Sequence, residues 1–408
     1  MPPGFHRLIA AQFASALADN ALLIVTIALL VERQLPGWWA PLLKFSFTLG
    51  YVLLAPFLGP LADAVPKAKL MGWMNALKVL GVIALLAGVH PVLAFAGVGL
   101  AACAMAPAKY GLITEIVPPR QLVAANGWIE VSVVGAVLLG TVLGGLLVSP
   151  LWRGWGAAVV GDAPLALSLG SLLVVYAIAA WLNLGLPASG AVYPKSGIHP
   201  LRLVREFAAC NRRLWRDAEG GLSLAATTIF WGAGATLQFA VLVWAERVLR
   251  LPLDRAAYLQ AAVAVGVVIG AGIAGRWIAL RAARRVLPLG VLLGLAVPLT
   301  ASVNSLGWAV PLLALLGLLG GLMVVPMNAL LQHRGHALLT AGRSIAVQGF
   351  NENLSVLVML GAYAALLRAD VSIIGLMWGF GLSVAGGIAL LMLRSAPASR
   401  AAPDEVPG

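Results

Sequence analysis

The sequence is poor in charge. Only 10% of its 408 residues are Asp, Glu, Lys or Arg, while 61% are apolar; a soluble domain carries about 25% charged residues. Acid is scarcest, with 15 Asp and Glu against 27 Lys and Arg and a net charge of +12. Two cysteines, Cys103 in an apolar run and Cys210 in a basic segment, with no CxxC, exclude a disulfide framework. The five histidines show no metal-ligand spacing. There is no P-loop, no GxSxG and no HExxH, which argues against an ATP-driven pump and against the common hydrolases. No enzyme activity, metal or cofactor is expected. Strand-like alternation is missing, which argues against a membrane β-barrel. A cleavable leader is not visible, because the first apolar run, Leu8–Val31, is too long for one and has Asp19 in its middle.

What the sequence does have is long apolar runs. Phe45–Leu58, Val79–Val89 and Leu287–Leu299 are uncharged and lie in longer apolar segments. A hydrocarbon core of about 30 Å is crossed by about 20 such residues in an α-helix. A helix also closes its own backbone hydrogen bonds where no water is present. The pattern predicts an all-α membrane protein. Its helices fall at about 8–32, 42–62, 70–89, 91–111, 122–148 and 165–187, then at about 218–246, 256–280, 286–302, 308–331, 344–367 and 371–394. Twelve transmembrane helices put both termini on one side. Eighteen Lys and Arg fall in the termini and connections of that side and seven on the other, with Lys78 and Lys109 inside helices. This excess marks the first side as cytoplasmic. It also accounts for the net charge without nucleic acid, since no basic run is interleaved with aromatics as a strand-binding groove requires.

The longest connection, 188–217, holds six of the cytoplasmic basic residues. Its part His199–Arg216 reads either as an amphipathic helix on the membrane surface or as a solvated linker. The chain divides there into residues 1–187 and 218–408, the second ending in a short cytoplasmic tail. The halves repeat. Gly59 and Lys69 follow span two, and Gly275 and Arg285 follow span eight at the same spacing. Asn126-Gly127-Trp128-Ile129-Glu130 in span five is echoed by Gln348-Gly349-Phe350-Asn351-Glu352 in span eleven. Matched signatures predict two pseudo-symmetric six-helix bundles around a central cavity.

Ionisable groups at bilayer depth cost at least a few kcal/mol each unless paired or hydrated. Gln12, Ser15 and Asp19 follow helical spacing in span one, with Thr26 two turns on. They read as a cavity wall facing a cationic group or a coupling ion, or as a buried helix–helix hydrogen bond. Lys78 and Asn75 share one face of span three. Lys78 either binds an anionic headgroup or neutralises Asp19. Glu130 and Glu352 lie about a third of the way in from the cytoplasmic side, and Ser344, Gln348, Asn351, Glu352 and Ser355 form a second polar stripe. These glutamates act in transport, or bridge to neighbouring loops with Arg120 and Arg343 as partners. Lys109, with Glu115 beyond it, reaches the cavity mouth or pairs with a carboxylate. Asn328 and Gln332, four residues apart, could line the same mouth.

Gly59-Pro60-Leu61-Ala62-Asp63-Ala64-Val65-Pro66-Lys67-Ala68-Lys69 resembles the loop signature of the major facilitator superfamily. That resemblance implies that Asp63, Lys67 and Lys69 help latch the halves together. Pro66 stands in place of the usual glycine, and Gly275–Arg285 looks like a weakened copy with Ala279 at the acidic position. Ala11-Gln12-Phe13, Ala18-Asp19-Asn20-Ala21-Leu22-Leu23, Pro107-Ala108-Lys109-Tyr110-Gly111, Ala125-Asn126-Gly127, Phe230-Trp231-Gly232-Ala233-Gly234 and Val325-Pro326-Met327-Asn328 through Gln332 together resemble the bacterial lysophospholipid transporters, as do Ala346-Val347-Gln348 and Asn351-Glu352-Asn353. The matches span nearly the whole chain. Gln238 departs from the arginine expected at its position.

The resemblance implies inward movement of lysophospholipid, chiefly the ethanolamine type, across the bacterial inner membrane. A cytoplasmic lysophospholipid acyltransferase then remakes the diacyl lipid, and a coupling cation is a further expected partner. Asp19 and Glu352 would take the amine and Lys78 the phosphate. Asn20, Glu130, Trp231, Gln238, Gln348 and Asn351 complete the expected substrate set. Lys109, Glu115, Arg120 and Arg343 join Asp63, Lys67 and Lys69 as gating or structural residues. The alternative is a small-solute or drug/cation antiporter of the same fold. Such antiporters often carry a Gly-Pro signature in span five, where this chain reads Gly140-Thr141-Val142-Leu143-Gly144-Gly145.

Overall fold

Fifteen α-helices account for nearly all of the residues described in the computed structural model, which are 1–35, 39–161, 163–187, 189–193, 199–251 and 253–395. The middle of the linker, with Lys195 and Ser196, and the tail beyond 395 lie outside them. In order the helices are α1 (Phe5–Glu32), α2 (Trp39–Leu53), α3 (Ala55–Ala64), α4 (Lys67–Leu86), α5 (Pro91–Ile116), α6 (Leu122–Leu147), α7 (Pro150–Val160), α8 (Pro164–Leu184), α9 (Pro200–Arg216), α10 (Ala218–Arg247), α11 (Leu253–Trp277), α12 (Leu287–Ala301), α13 (Leu306–Leu338), α14 (Ala341–Arg368) and α15 (Ile373–Ser395). Among the described residues, eleven segments are long and apolar enough to cross a membrane.

The remaining span is α2 with α3. The sequence pattern predicts one helix over 42–62, but it breaks at Leu54. Pro56 explains the break: it has no N–H to donate to Val52, and its ring crowds that carbonyl. Two further helices do not cross. α9 follows the first of the two readings of the linker, a helix. α7 has no counterpart in the sequence reading, because Gly154 and Gly156 weaken its helical signal and its apolar residues merge with the neighbouring spans.

The chain packs as two compact units. The first comprises Met1–Gln121, Trp128–Cys210 and Gly335–Phe350; the second comprises Leu122–Gly127, Asn211–Arg334 and Asn351–Gly408. The first turns of α6 therefore group with the second half of the chain, and the first turns of α14 with the first half.

In the first unit, Leu22, Val25 and Leu29 of α1 bury against Val82 and Leu85 of α4, Phe95 and Val98 of α5, and Leu165, Leu169 and Leu172 of α8. Lipid is as apolar as these side chains, so close packing rather than water exclusion must hold the helices together. Glycine permits it where α6 meets α1. A Cβ on Gly140 would stand 2.6 Å from the Leu17 carbonyl oxygen, and one on Gly144 2.8 Å from Ile24 Cβ.

In the second unit, Trp244 of α10 is fully buried among Val297 and Ala301 of α12, Leu313 of α13 and Met377 of α15. Its indole N–H donates to the Ala301 carbonyl at 3.2 Å. Asp217 caps α10, accepting from the Gly220 N–H at 2.7 Å, and takes two bonds from the Arg334 guanidinium. The guanidinium is the main cause that holds the Asp217 carboxyl below its ordinary value of 3.8. A depressed carboxyl stabilises the fold above its unfolded value, and that stabilisation is lost as pH falls through the folded one. Asp217→Asn is accordingly expected to melt earlier than the parent at pH 7, with the gap shrinking below pH 3.8 and closing only once pH has fallen through the depressed folded value. Thermal melts across pH check this; a constant gap at every pH would show that the Asp217 charge contributes nothing.

Candidate functional site

The polar stripe of α1 faces Lys78 of α4. The Lys78 ammonium donates to Asp19 Oδ2 at 2.6 Å and to Ser15 Oγ at 2.9 Å. Ser15 Oγ in turn donates to Asn75 Oδ1 at 3.2 Å. The Tyr176 hydroxyl of α8 donates to Asp19 Oδ1 at 2.7 Å, and its ring lies 5.9 Å from the Lys78 ammonium. Lys78 is only 2% exposed. Three helices thus hold one ion pair inside an apolar bundle. Tyr176 is the member that sequence reasoning missed, since a lone tyrosine in an apolar helix gives no signal. Gln12, one turn from Ser15, is also buried, and its amide has no hydrogen-bond partner among the described residues.

A second pair of charges shares this interior. Lys109 of α5 lies 4.3 Å from the centre of the Tyr110 ring and within electrostatic reach of Lys78, Asp19 and Glu130. Glu130 of α6 is 8% exposed. Two acids and two lysines therefore share the interior of one bundle. Asn20 spends its amide on the Ala16 carbonyl of its own helix at 2.8 Å.

The Gly59–Lys69 signature forms a different cluster. Asp63, near the end of α3, accepts from the Gly342 N–H at 2.8 Å, from the Thr340 hydroxyl and from the Arg343 N–H. The first N–H groups of a helix have no partner within it, and a carboxylate also favours the positive end of the helix dipole. Asp63 thereby caps α14. Gly59 and Gly342 allow the approach: a Cβ on Gly59 would meet Arg343 Cα and Ala346 Cβ, both at 3.0 Å. Lys67 is buried between Glu115 at 2.5 Å and Asp63 at 3.8 Å. Tyr193, from the linker, completes the cluster. Its hydroxyl donates to Glu115 at 2.7 Å and accepts from the Ala341 N–H, and its ring lies 4.9 Å from the Lys67 ammonium. Burial, reinforced by Glu115, pushes the phenol well above its ordinary range, so it remains a donor. Loss of a buried partner costs about 1–3 kcal/mol. Tyr193→Phe is thus expected to lower thermal stability, and Tyr193→Ala, which also removes the ring over Lys67, to lower it further; equal melting of all three proteins would show that the linker is not held there.

The repeat has a physical counterpart in the second unit. A Cβ on Gly127 of α6 would stand 2.8 Å from the Ala271 oxygen and 3.2 Å from Gly275 Cα. The second signature thus meets the start of α6 as the first meets the start of α14. With Ala279 in place of an aspartate, the second cluster has no carboxylate there. Asn126 and Gln332 instead exchange two amide hydrogen bonds of 2.9 Å.

Other expected residues go elsewhere. Asn351 accepts from the Trp215 indole at 3.0 Å and donates to Asn211 at 2.9 Å, tying α14 to α9. Arg343 pairs with Glu206 of α9 at 2.8 Å, and Arg120 is exposed. Lys69 is exposed and lies 5.1 Å from the Trp73 ring. Gln348 is buried and Glu352 half-buried on α14. Trp231 packs edge-on to Phe230 at 5.5 Å. Gln238 is exposed, and its carbonyl accepts from Gln260 at 2.9 Å.

A family model described as Major Facilitator Superfamily matches residues 8–358. A Yersinia enterocolitica protein (serotype O:8 / biotype 1B), named lysophospholipid transporter LplT, is 41% identical over 373 residues, covering 91% of this chain and 89% of its own. A protein of the same name from Yersinia pestis (strain Pestoides F) is 41% identical over 369 residues, covering 90% and 87%. Among solved structures, the Escherichia coli fucose:proton symporter FucP superposes with a TM-score of 0.75 at 14% identity, over 97% of this chain and 98% of that one. A bacterial homologue of the iron transporter ferroportin, in an outward-facing state, gives 0.72 at 16% identity, over 97% and 99%. At such identities these structures speak for the fold alone.

Proposed function

We infer that this chain, which belongs to the Major Facilitator Superfamily, is a lysophospholipid transporter. The buried Asp19–Lys78 pair carries the reading into mechanism. A carboxylate and an ammonium held together inside an apolar bundle match, sign for sign, the amine and phosphate of a zwitterionic headgroup. The ethanolamine type is therefore the preferred substrate. Its amine takes Asp19, and its phosphate takes the Lys78 ammonium so released. Exchange of one ion pair for two leaves no charge stranded in the low-dielectric interior. Glu130 and Lys109 supply a second complementary pair in the same bundle. A drug or small-solute antiporter of the same fold is not favoured by the relatives.

The direction is inward, from the outer to the inner leaflet of the bacterial inner membrane. The excess of Lys and Arg on the side of both termini supports cytoplasmic termini. The two halves act as six-helix bundles joined by the linker and alternate access around the charged centre. Asp63, Lys67, Glu115 and Arg343 hold the gate on the cytoplasmic side. The product is consumed by a cytoplasmic lysophospholipid acyltransferase. With no phosphate-binding loop in the sequence, a cation gradient or the lipid's own gradient drives the cycle. The test is purified protein in liposomes with labelled lipid in the outer leaflet. Lysophosphatidylethanolamine is expected to move far faster than its diacyl counterpart. Equal rates for both, or transport of water-soluble compounds only, would remove the assignment.

A further inference from the structure

α7 is an unassigned element between two membrane-crossing helices. It carries Leu151, Trp155 and Val159 at four-residue spacing, and they are 70%, 56% and 72% exposed. Its inner side is already satisfied: Trp152 packs against the α1–α8 core cluster, and Gly156 is buried. Ser149 caps its start by accepting from the Trp152 N–H at 3.3 Å. The helix therefore does not need the stripe for its own packing. Arg153 is its single charge and forms no ion pair among the described residues.

We propose that α7 is an interfacial helix seated in the outer leaflet, with this stripe among lipid acyl chains. Eleven residues rise about 16 Å, roughly half of the hydrocarbon core, so α7 cannot cross. Nor can it leave the membrane. Only Val148 and Ser149 separate it from α6, and residues 161–163 from α8. α6 exposes apolar residues of the same kind up to this end, Val142 and Leu146 among them. The stripe continues a lipid-facing surface. A tethered helix with an exposed Leu/Trp/Val row and a neighbouring arginine has the make-up of an interfacial element: the row enters the acyl boundary, and the guanidinium meets lipid phosphate. The outer side follows from the orientation given under Proposed function, on which this assignment rests. It places α7 in the leaflet from which substrate is drawn.

The experiment reads depth, not transport. In a protein carrying Cys103→Ala and Cys210→Ser, a nitroxide is attached singly through Leu151→Cys, Trp155→Cys, Val159→Cys or, as the comparison, Ala157→Cys. Each protein is placed in phosphatidylethanolamine–phosphatidylglycerol liposomes. The three stripe positions are expected to favour collisions with oxygen over a water-soluble nickel chelate, at a depth of about 5–10 Å, while Ala157 favours nickel. Equal nickel access at all four overturns the proposal, because the stripe is then in water. Exclusion of both reagents from the stripe also overturns it, because protein covers the row. In spheroplasts, an impermeant reductant added outside is expected to quench the Ala157 label. Protection there, with the depth pattern intact, would move α7 to the inner leaflet and overturn the outer-leaflet assignment. The liposome uptake assay, which needs none of these labels, tests the substrate separately.

Discussion

Asp19→Asn is expected to abolish lysophospholipid uptake, and adding Lys78→Gln is expected to restore stability without restoring uptake. The single change leaves the Lys78 ammonium buried without its carboxylate, which costs about 3–5 kcal/mol when a buried pair is broken from one side. Tyr176 and Ser15 keep hydrogen-bonding partners, but neither carries charge. Lys78→Gln alone strands the carboxylate instead and should melt early for the same reason. In the double variant both charges are gone, the amides retain the hydrogen bonds, and the melting temperature returns towards the parent. Uptake does not return, because neither the amine nor the phosphate of the lipid finds a counter-charge. Melting curves and liposome uptake for the parent, both singles and the double decide the matter. Full uptake by a stable Asp19→Asn protein, or recovery of uptake in the double, would reduce the pair to a structural bridge.

Gly59→Val should also be severe, through shape rather than charge. The first added atom already stands 3.0 Å from Arg343 Cα and Ala346 Cβ, and the two further methyl groups have nowhere to go. Overpacking of this kind costs about 1–3 kcal/mol. Here it falls wholly on the arrangement in which Asp63 caps α14. Since about 1.4 kcal/mol is a tenfold change in an equilibrium, that arrangement should lose roughly tenfold to a hundredfold in population, and uptake with it. Gly97→Val is the matched control, because a Cβ there meets nothing within 4 Å. Uptake by Gly59→Val equal to that of the control would show that the close approach of α3 and α14 has no part in transport.

What could be read without a structure was whatever is local along the chain. Length and apolarity of a span are properties of about 20 consecutive residues, so the eleven unbroken spans lie close to the predicted segments. Buried charge is equally visible, because so few residues carry it. Asp19, Lys78 and Glu130 stand out from apolar surroundings by cost alone, whereas Asp63 entered through the resemblance of its loop. The linker left two readings open, a surface helix and a solvated segment, and the structure shows the helix.

Partnership was not visible. Sequence reasoning left open whether Asp19 faces Lys78; the 2.6 Å contact answers that, and Tyr176 joins it from 157 residues away. Arg343 was a candidate partner for a glutamate within the spans, and its pairing with Glu206 of the linker helix was not foreseen. Asn351, on a stripe that pointed to a cavity, is taken by Trp215 and Asn211. Local errors had local causes, as Pro56 in the second span and the glycines of α7 illustrate. The sequence by itself determined the spans, their order and the chemical cost of each buried charge, because hydrophobic length and desolvation are settled residue by residue. Only the tertiary structure decided which charges neutralise each other and which helix ends are capped from afar, because a side chain three to four bonds long chooses among whatever the packing brings within about 3 Å.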